Sequence, residues 1–448
     1  MREDEHYLDY TGSSVYANSQ LRAVFRDLRG HLFGNPHSAN PSSALAGERV
    51  EAARDAVLSF FNADPAEYQV VFTRSATDAL KTVGETFPWG PGSEFAYLQE
   101  NHNSVLGVRE YAREAGGRCV RAGQLRRWAL PPRGKGPEVE RPGQREGHMG
   151  TRGVQCLFAF PAEDNFAGVK YPLSWITAVQ AKSTPRRRWR VLLDAAAYVP
   201  TQPLDLRAVR PDFVSLSFYK ARIFGYPTGL GALIVRTFWG GGSVSLATSH
   251  SDFRVLKCRP SDMLEDGTVA FLDIASLTHG FNLLAGLGGV TAVQAHVEAL
   301  RVWTYDSLAS LLHANGRGVV ALFGKHHLPD AAAVQGAVFN FALIKPDGSL
   351  FSYKGFETAA AGAGLHVRTG SECNPGACYN YLGVQESEVA ALAGSKEGCH
   401  DDVEYTTVCV DVPLGSVRAS LGYLSTWEDC HALVSFIEKH YKDKSEDP

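Results

Sequence analysis

The dominant pattern in this chain is a series of short apolar strands separated by helical stretches. The predicted strands of the first part lie at 69–73, 155–160, 191–194, 213–217 and 230–235. Strands that alternate with helices indicate a largely parallel sheet with helices on both faces. The sequence therefore predicts an α/β fold, and 448 residues suit two or three domains. No internal repeat points to a solenoid.

Charge and cysteine usage narrow the classes of function. The net charge is −4, and no single-sign field suggests binding to nucleic acid or to anionic lipid. We expect no membrane segment, because no apolar run is long enough to span a bilayer and the acidic first residues do not resemble a targeting peptide. The eight cysteines lack zinc-like spacing, so we expect no metal site and free thiols in a reducing, cytoplasmic compartment.

The strand at 213–217 is followed by an aromatic pair and a lysine, Lys220. Apolar residues alternate there with Ser215 and Ser217, as in a half-buried strand. A lysine at such a strand end is partly desolvated, which lowers the pKa of its amine and makes it nucleophilic, as a Schiff-base lysine requires. The alternative is an ordinary strand-end lysine that reaches water.

Polar side chains also follow the neighbouring strands. The strand at 69–73 runs through Ser75 and Thr77 into a helix from Asp78, whose free backbone N–H groups would bind a phosphate. The alternative is that the serine or threonine only caps this helix and binds no phosphate. Asp194 ends another strand, where an ionised carboxylate can hold a heterocyclic nitrogen protonated or cap the next helix.

Three more side chains complete the candidate set. His102, in a polar turn before a helix, could stack on a planar cofactor or be a solvated cap residue. Cys373 lies on a loop bounded by glycine and proline, which makes it a candidate reactive thiol, although most cysteines in proteins take no part in chemistry. Arg418 could hold a substrate carboxylate or form a structural ion pair. The phosphate-binding turn, His102, Asp194 and Lys220 together are what pyridoxal 5′-phosphate requires. Cys373 and Arg418 add the prediction of an amino-acid substrate and sulfur chemistry.

These residues resemble the cysteine-desulfurase branch of the class-V aminotransferase family, and more closely the N-terminal domain of molybdenum cofactor sulfurases. The most specific stretches are 217–220 with 224–229 and the loop 368–378, and weaker ones cover nearly the whole chain. The resemblance implies the PLP-dependent transferase fold type I. That fold has a mostly parallel seven-stranded sheet with helices on both faces and a smaller α+β C-terminal domain.

The implied division places a large, cofactor-binding domain at 30–285. A small domain would combine 1–29 with 286–448 and carry the cysteine loop. Residues 123–153, rich in Arg, Pro and Gly, are predicted to form a mobile surface insertion.

The resemblance also assigns roles. Lys220 would bind the cofactor's aldehyde and shuttle the substrate's Cα proton, Cys373 would take the substrate's sulfur as a persulfide, and Arg418 would hold the substrate's carboxylate. Around the cofactor, the implied residues are Asp194 at the ring nitrogen, His102 on the ring face, Asn165 near the phenolic oxygen, Ser75, Ala76, Thr77 and Ser217 at the phosphate, and Thr268 at the phosphate of the partner subunit.

The implied activity is desulfuration of L-cysteine to alanine, with the molybdenum cofactor as sulfur acceptor, in a homodimer. We expect no C-terminal molybdopterin-binding domain in this chain, so a separate domain or a target molybdoenzyme would be the partner. Two alternatives stay open: a cysteine desulfurase that supplies another acceptor such as iron–sulfur assembly, and a non-catalytic member. Four features depart from the family's pattern: residues 221–223 after the lysine, Ala197, Ser371 and the long insertion at 123–153.

Overall fold

The computed structural model describes residues 5–122, 153–220, 225–237, 260–265, 267–385, 387–388 and 413–448. The predicted insertion at 123–153 lies outside the described residues except for Gly153, and so do residues 221–223.

The described strands are β1 (His6–Tyr7), β2 (Tyr68–Thr73), β3 (Glu94–Tyr97), β4 (Arg118–Arg121), β5 (Val154–Pro161), β6 (Arg187–Asp194), β7 (Phe213–Ser217), β8 (Gly231–Arg236), β9 (Val320–Leu322), β10 (Val338–Leu343), β11 (Leu365–His366), β12 (Arg368–Gly370) and β13 (Ser416–Ser420). The described helices are α1 (Asn18–Gly30), α2 (Pro41–Phe60), α3 (Ala76–Thr86), α4 (Asn103–Leu106), α5 (Val108–Glu114), α6 (Trp175–Gln180), α7 (Leu206–Val209), α8 (Pro260–Leu264), α9 (Phe271–Gly286), α10 (Gly289–Ala309), α11 (Ala331–Val334), α12 (Tyr353–Gly362), α13 (Pro375–Leu382) and α14 (Trp427–Tyr441).

A seven-stranded sheet with the order β2-β8-β7-β6-β5-β3-β4 forms the centre of the molecule. The strands from β7 to β4 pair in parallel, and β8 is antiparallel to both of its neighbours. Parallel strands are covered on both faces, which is why they read as continuous apolar runs. The predicted mostly parallel seven-stranded sheet is confirmed.

Helices cover both faces of this sheet, as predicted. Side chains alternate along a strand, so Val70 and Phe72 enter one apolar cluster while Val71 enters the other. Residues of α3, α4 and α5 share the cluster of Val71, and residues of α2, α6 and α9 share the opposite one.

A second, antiparallel sheet has the order β12-β13-β10-β9, and β1 pairs in parallel with β11. The terminal helix α14 begins with a capping box between Thr426 and Asp429. The sequence predicts an amphipathic terminal helix capped by Thr426, with Cys430, Leu433, Phe436 and Ile437 inward, and these four residues are buried in α14.

Three boundaries differ from what the sequence predicts. The sequence offers Ser42 or Ser43 as the cap of a helix that runs to about Phe61, but Asn40 caps α2, because its Oδ1 accepts the Ser43 N–H at 3.0 Å and Pro41 takes the first helical position. Helix α3 begins at Ala76, two residues before the predicted Asp78. The sequence also predicts a long helical region at roughly 270–312, which the structure divides into α9 and α10, with Gly288 between them at a φ of 89°.

Within the described ranges, no helix on its own is long and apolar enough to cross a bilayer. The bent pair α9 and α10 meets that requirement of length and composition only when its two helices are taken together.

Candidate active site

The carboxyl ends of β5, β6 and β7 open into one pocket, closed on one side by the start of α3. The volume of this pocket, including the open space at its entrance, is about 530 Å³. Most of the predicted site residues line it: Ser75, Ala76, Thr77, His102, Asn165, Asp194, Ser217 and Lys220. Thr268, Cys373 and Arg418 are not among its lining residues.

One end of the pocket is formed by the turn from β2 into α3. Ser75 caps the helix, since its Oγ accepts the Asp78 N–H at 3.1 Å. The Ala76 N–H donates to Ser217 Oγ at 2.7 Å and so joins the helix start to the end of β7. At Gly231, an added Cβ would lie 2.6 Å from the carbonyl carbon of Ser75, so a glycine is needed for this close approach. The positive end of an 11-residue helix and hydroxyl groups thus face one space, which suits a phosphate.

Asp194 is the last residue of β6 and is buried. Its Oδ1 accepts the Ala196 N–H at 3.1 Å and the Ser215 hydroxyl at 3.3 Å. Burial raises the pKa of this carboxyl, whereas those hydrogen bonds and the nearby Lys220 charge act to lower it. A protonated heterocyclic nitrogen placed next to Asp194 would favour the ionised form of the Asp194 carboxylate.

His102 caps the short helix α4, and the Ser104 N–H donates to its Nδ1 at 3.1 Å. This contact leaves the single proton of the neutral ring on Nε2. Burial lowers the pKa of His102 to about 4, and the positive charges of Lys220 and Arg368 add to the effect. The imidazole is therefore neutral at neutral pH and able to lie against a planar ring.

Lys220 follows β7, and the N-terminal segment holds its backbone. The Ser14 N–H donates to the Tyr219 carbonyl at 3.0 Å, and the Ser14 hydroxyl donates to the Lys220 carbonyl at 3.3 Å. Burial lowers the pKa of the Lys220 amine, the Arg418 charge lowers it further, and Asp194 opposes them. A desolvated amine of this kind is the nucleophile that Schiff-base chemistry requires.

Arg418 lies beside the pocket on β13 and is fully buried. Its Nη2 donates to Asp9 Oδ1 at 2.7 Å, and its Nη1 donates to the Asn165 carbonyl at 2.9 Å. Glu372 Oε2 lies 2.9 Å from the same Nη1. Of the two roles considered for Arg418, the structural ion pair is present in this structure.

The loop that carries Cys373 is hydrogen-bonded to residues in and next to the pocket. The Asn103 N–H donates to the Cys373 carbonyl at 2.8 Å, and Asn165 Nδ2 donates to the Glu372 carbonyl at 2.6 Å. Cys373 is partly exposed and close enough for its charge to affect the pKa of Lys220. The structure therefore places this thiol next to the pocket without making it part of the lining.

Thr268 is exposed and lies apart from the pocket. Asn35 Nδ2 is 3.5 Å from its Oγ1. Its predicted contact with the phosphate of a partner subunit stays a prediction.

Several pocket residues had no role in the sequence interpretation. Thr11, Ser104, Glu163 and Tyr219 belong to the lining. Asp9 was also missed, because it meets Arg418 across 409 residues of sequence and no local pattern marks that contact. In the described part of the chain, no group of His, Cys, Asp and Glu side chains is arranged to hold a metal ion.

The chain is similar to known proteins over nearly its whole length. The family model described as Aminotransferase class-V matches residues 6–433. The molybdenum cofactor sulfurase of Arabidopsis thaliana is 39% identical over 461 residues, which cover 96% of this chain and 55% of that protein. The Homo sapiens protein of the same name is 38% identical over 96% of this chain and 49% of its own length. The chain thus spans about half the length of the curated relatives it matches.

Solved structures of cysteine desulfurases share the fold. The apo enzyme of Thermococcus onnurineus NA1 superposes with a TM-score of 0.70 at 18% identity, covering 98% of this chain and 94% of that one. Cysteine desulfurase CsdA of Escherichia coli gives a TM-score of 0.66 at 18% identity, with coverage of 98% and 95%. The predicted fold type I of the PLP-dependent transferases is confirmed.

Proposed function

Because the chain belongs to the class-V aminotransferase family, whose members use pyridoxal 5′-phosphate, we propose that it desulfurates L-cysteine and passes the sulfur to the molybdenum cofactor. One observation carries the desulfurase proposal: a buried amine, a buried carboxylate and a phosphate-binding helix start share one pocket, and the Cys373 loop lies beside it. The choice of acceptor is supported by the curated relatives, which are molybdenum cofactor sulfurases.

The pocket fits the cofactor by the chemistry of its donors. The start of α3 and the Ser217 hydroxyl would hold the phosphate, and Asp194 would pair with the ring nitrogen. His102 would lie on the ring face, and Asn165 near the phenolic oxygen. Bound there, pyridoxal phosphate supplies the electron sink that makes the substrate's Cα proton acidic and its C–S bond labile.

The chain's own residues then carry the reaction. Lys220, whose amine pKa is lowered by burial, would bind the cofactor and move the proton at Cα. The Cys373 thiolate would attack the sulfur of the substrate, so that an S–S bond forms and the C–S bond breaks with its electron pair left on carbon. Protonation of that carbon gives alanine. The net change, enzyme thiol plus cysteine to enzyme persulfide plus alanine, balances without an external oxidant or reductant.

The acceptor would be held by a molybdopterin-binding domain or by a target molybdoenzyme as partner. We place the reaction in the cytoplasm, which is supported by the five described cysteines, all with free thiols. We also retain the division into a large unit at 30–285 and a small unit made of 1–29 and 286–448. The seven-stranded sheet falls entirely in the first unit and the antiparallel sheet in the second.

A homodimer is proposed on the position of Thr268. This exposed residue contacts Asn35, and Leu32 nearby in sequence is 79% exposed. A strongly exposed apolar side chain three residues before Asn35, which contacts the residue expected to reach a partner's phosphate, favours a contact between two copies here.

The proposal is tested with the holoprotein and two variants. Lys220→Ala should prevent borohydride from fixing the cofactor to the chain, whereas Cys373→Ala should keep the bound cofactor and its yellow colour but release no alanine from L-cysteine. Cys119→Ala, which removes another partly exposed thiol, is the matched control and should release alanine at the wild-type rate.

Identical behaviour of Lys220→Ala and Cys373→Ala would contradict the assigned roles. For the acceptor, sulfur should reactivate a desulfo molybdoenzyme, and transfer only to an iron–sulfur scaffold would replace this part of the proposal.

A further inference from the structure

Arg418, the residue expected to receive the substrate's carboxylate, already faces a carboxylate of its own chain. Glu372 Oε2 lies 2.9 Å from Arg418 Nη1 and 3.0 Å from Arg368 Nε. The Glu372 side chain has no exposed surface. This residue immediately precedes Cys373, so the internal carboxylate and the proposed sulfur-accepting thiol belong to one turn.

Charge holds Glu372 more than directed hydrogen bonds do. Among the described atoms, neither of its carboxylate oxygens has a hydrogen-bond partner of good geometry, although both guanidinium groups lie within ion-pair distance. Arg418 Nε is likewise buried without a hydrogen-bond partner. Because an arginine–carboxylate pair is strongest when two N–H groups engage both oxygens, a better-aligned carboxylate could take the place of Glu372.

The turn itself is strained. Glu372 has a φ of 58° and Cys373 a φ of 55°, and two successive non-glycine residues in the left-handed region are unfavourable. Surrounding contacts must therefore hold this conformation. They include the Glu372 ion pairs and two hydrogen bonds to backbone carbonyls, from the Asn165 side chain and the Asn103 N–H. The Asn374 N–H also donates to the Ser371 carbonyl at 2.9 Å, across the turn. Loss of the ion pairs would remove the electrostatic contribution of the Glu372 side chain to holding the turn.

We propose that Glu372 is a latch that occupies Arg418 until the substrate's α-carboxylate displaces it. While the latch is closed, the strained turn keeps Cys373 beside the pocket. Once the carboxylate of L-cysteine takes Arg418, the turn relaxes and the thiol is free to reach the substrate's sulfur. Glu372 is thus a positioning residue that makes movement of the thiol depend on an α-carboxylate. The identity of the displacing ligand rests on the proposed function, whereas the latch rests on the contacts above.

The first test measures how fast iodoacetamide alkylates Cys373 in the holoprotein, by peptide mass spectrometry with Cys119 as internal reference. L-alanine, which carries the α-carboxylate but no sulfur, should accelerate the alkylation roughly five-fold. Ethylamine, which is alanine without its carboxylate, should not. Glu372→Gln should react at the faster rate without any ligand and should respond no further to alanine.

The outcomes separate the latch from the proposed substrate. A Glu372→Gln variant that is alkylated at the wild-type rate overturns the latch. If Cys373 is alkylated faster in Glu372→Gln but alanine does not change the alkylation rate in the wild-type protein, the result supports the latch and overturns the proposed substrate. If Glu372→Gln does not fold, the comparison of alanine with ethylamine in the wild-type protein decides alone, and equal effects of the two overturn the latch.

A second test uses steady-state kinetics. With its internal competitor removed, Glu372→Gln should show a KM for L-cysteine roughly five-fold lower than the wild type, without a matching rise in kcat. Glu298→Gln is the matched control, since it removes a carboxylate from the separate ion pair with Arg301 and should leave KM unchanged. An unchanged or higher KM in a folded Glu372→Gln variant overturns the proposal.

Discussion

Burial drives the titratable residues of the pocket toward their neutral forms. It lowers the pKa values of the Lys220 amine and the His102 imidazole and raises the pKa of the Asp194 carboxyl. A ligand that brings its own charges, an anionic phosphate and a protonated ring nitrogen, restores the interactions that burial removes. The pocket is therefore matched to a charged cofactor.

The low pKa of His102 makes stability depend on pH. Its folded-state pKa of about 4 lies below the ordinary value of 6.5, so the unfolded chain takes up a proton first as the pH falls. The free energy of unfolding should decrease through this window, by about 2 kcal/mol from this residue at pH 5. His102→Phe should remove this contribution to the pH dependence. Urea titrations of the cofactor-free protein at pH 7 and pH 5 measure the loss of unfolding free energy in the variant and in the wild type. Equal losses in the variant and the wild type would contradict the assignment.

The low pKa of Lys220 predicts how cofactor attachment depends on pH. Only the neutral amine reacts with the aldehyde, and burial lowers the pH at which it loses its proton below the ordinary 10.5. Covalent binding of pyridoxal phosphate to the apo-protein, followed by absorbance, should therefore reach half its extent at a lower pH than the reaction of Nα-acetyl-lysine. A midpoint at or above that of the free amino acid would show that the amine is solvated.

Among the elements, the junction of β2, α3 and β8 determines the shape of the phosphate site. Gly231 opens β8, and a Cβ there would lie 2.6 Å from the Ser75 carbonyl carbon and 2.7 Å from the Leu216 carbonyl oxygen. Backbone atoms cannot turn aside as a flexible side chain does. Any side chain at this position must therefore displace the start of α3.

Gly231→Ala should accordingly weaken cofactor binding at least ten-fold and destabilise the fold by about 1–3 kcal/mol. The matched control is Gly286→Ala at the end of α9, where an added Cβ meets nothing within 4 Å. That substitution should be neutral or slightly stabilising. Fluorescence titration with pyridoxal phosphate and thermal melting of both variants measure the effects. Wild-type affinity in Gly231→Ala would refute the role given to this close approach.

The elements also show how far sequence reasoning reaches. Parallel strands were predictable because burial on both faces leaves continuous apolar runs. The pocket residues Asp194 and Lys220 followed because Asp194 ends one strand and Lys220 lies three residues after another. Helix boundaries were less accurate where the cap at Asn40 competed with two nearby serines. An ion pair was one of the two roles predicted for Arg418, but its partners Asp9 and Glu372 were not predictable, since tertiary packing alone brings those residues together.

At the scale of the whole molecule, the proposed dimer extends the site beyond one chain. Thr268 lies outside the pocket of its own subunit, so it would act only through the partner. Cofactor affinity and subunit association should then change together.

Leu32→Glu should therefore yield a monomer with weaker cofactor binding, because a charge would replace a 79% exposed leucine three residues before Asn35, which contacts Thr268. Leu312→Glu, at another exposed leucine, is the control and should leave both properties unchanged. Light scattering and titration with pyridoxal phosphate on the same samples provide the measurement. A dimeric Leu32→Glu variant with wild-type affinity would place the interface elsewhere.

The most direct measurement of the central claim follows the sulfur itself. The holoprotein is incubated with L-cysteine carrying a heavy sulfur isotope, its thiols are then alkylated, and the peptide that contains Cys373 is weighed. We predict that this peptide gains the mass of one heavy sulfur atom and that dithiothreitol removes it. A Cys373 peptide of unchanged mass, with the heavy sulfur on another cysteine or released as free sulfide, would contradict the account.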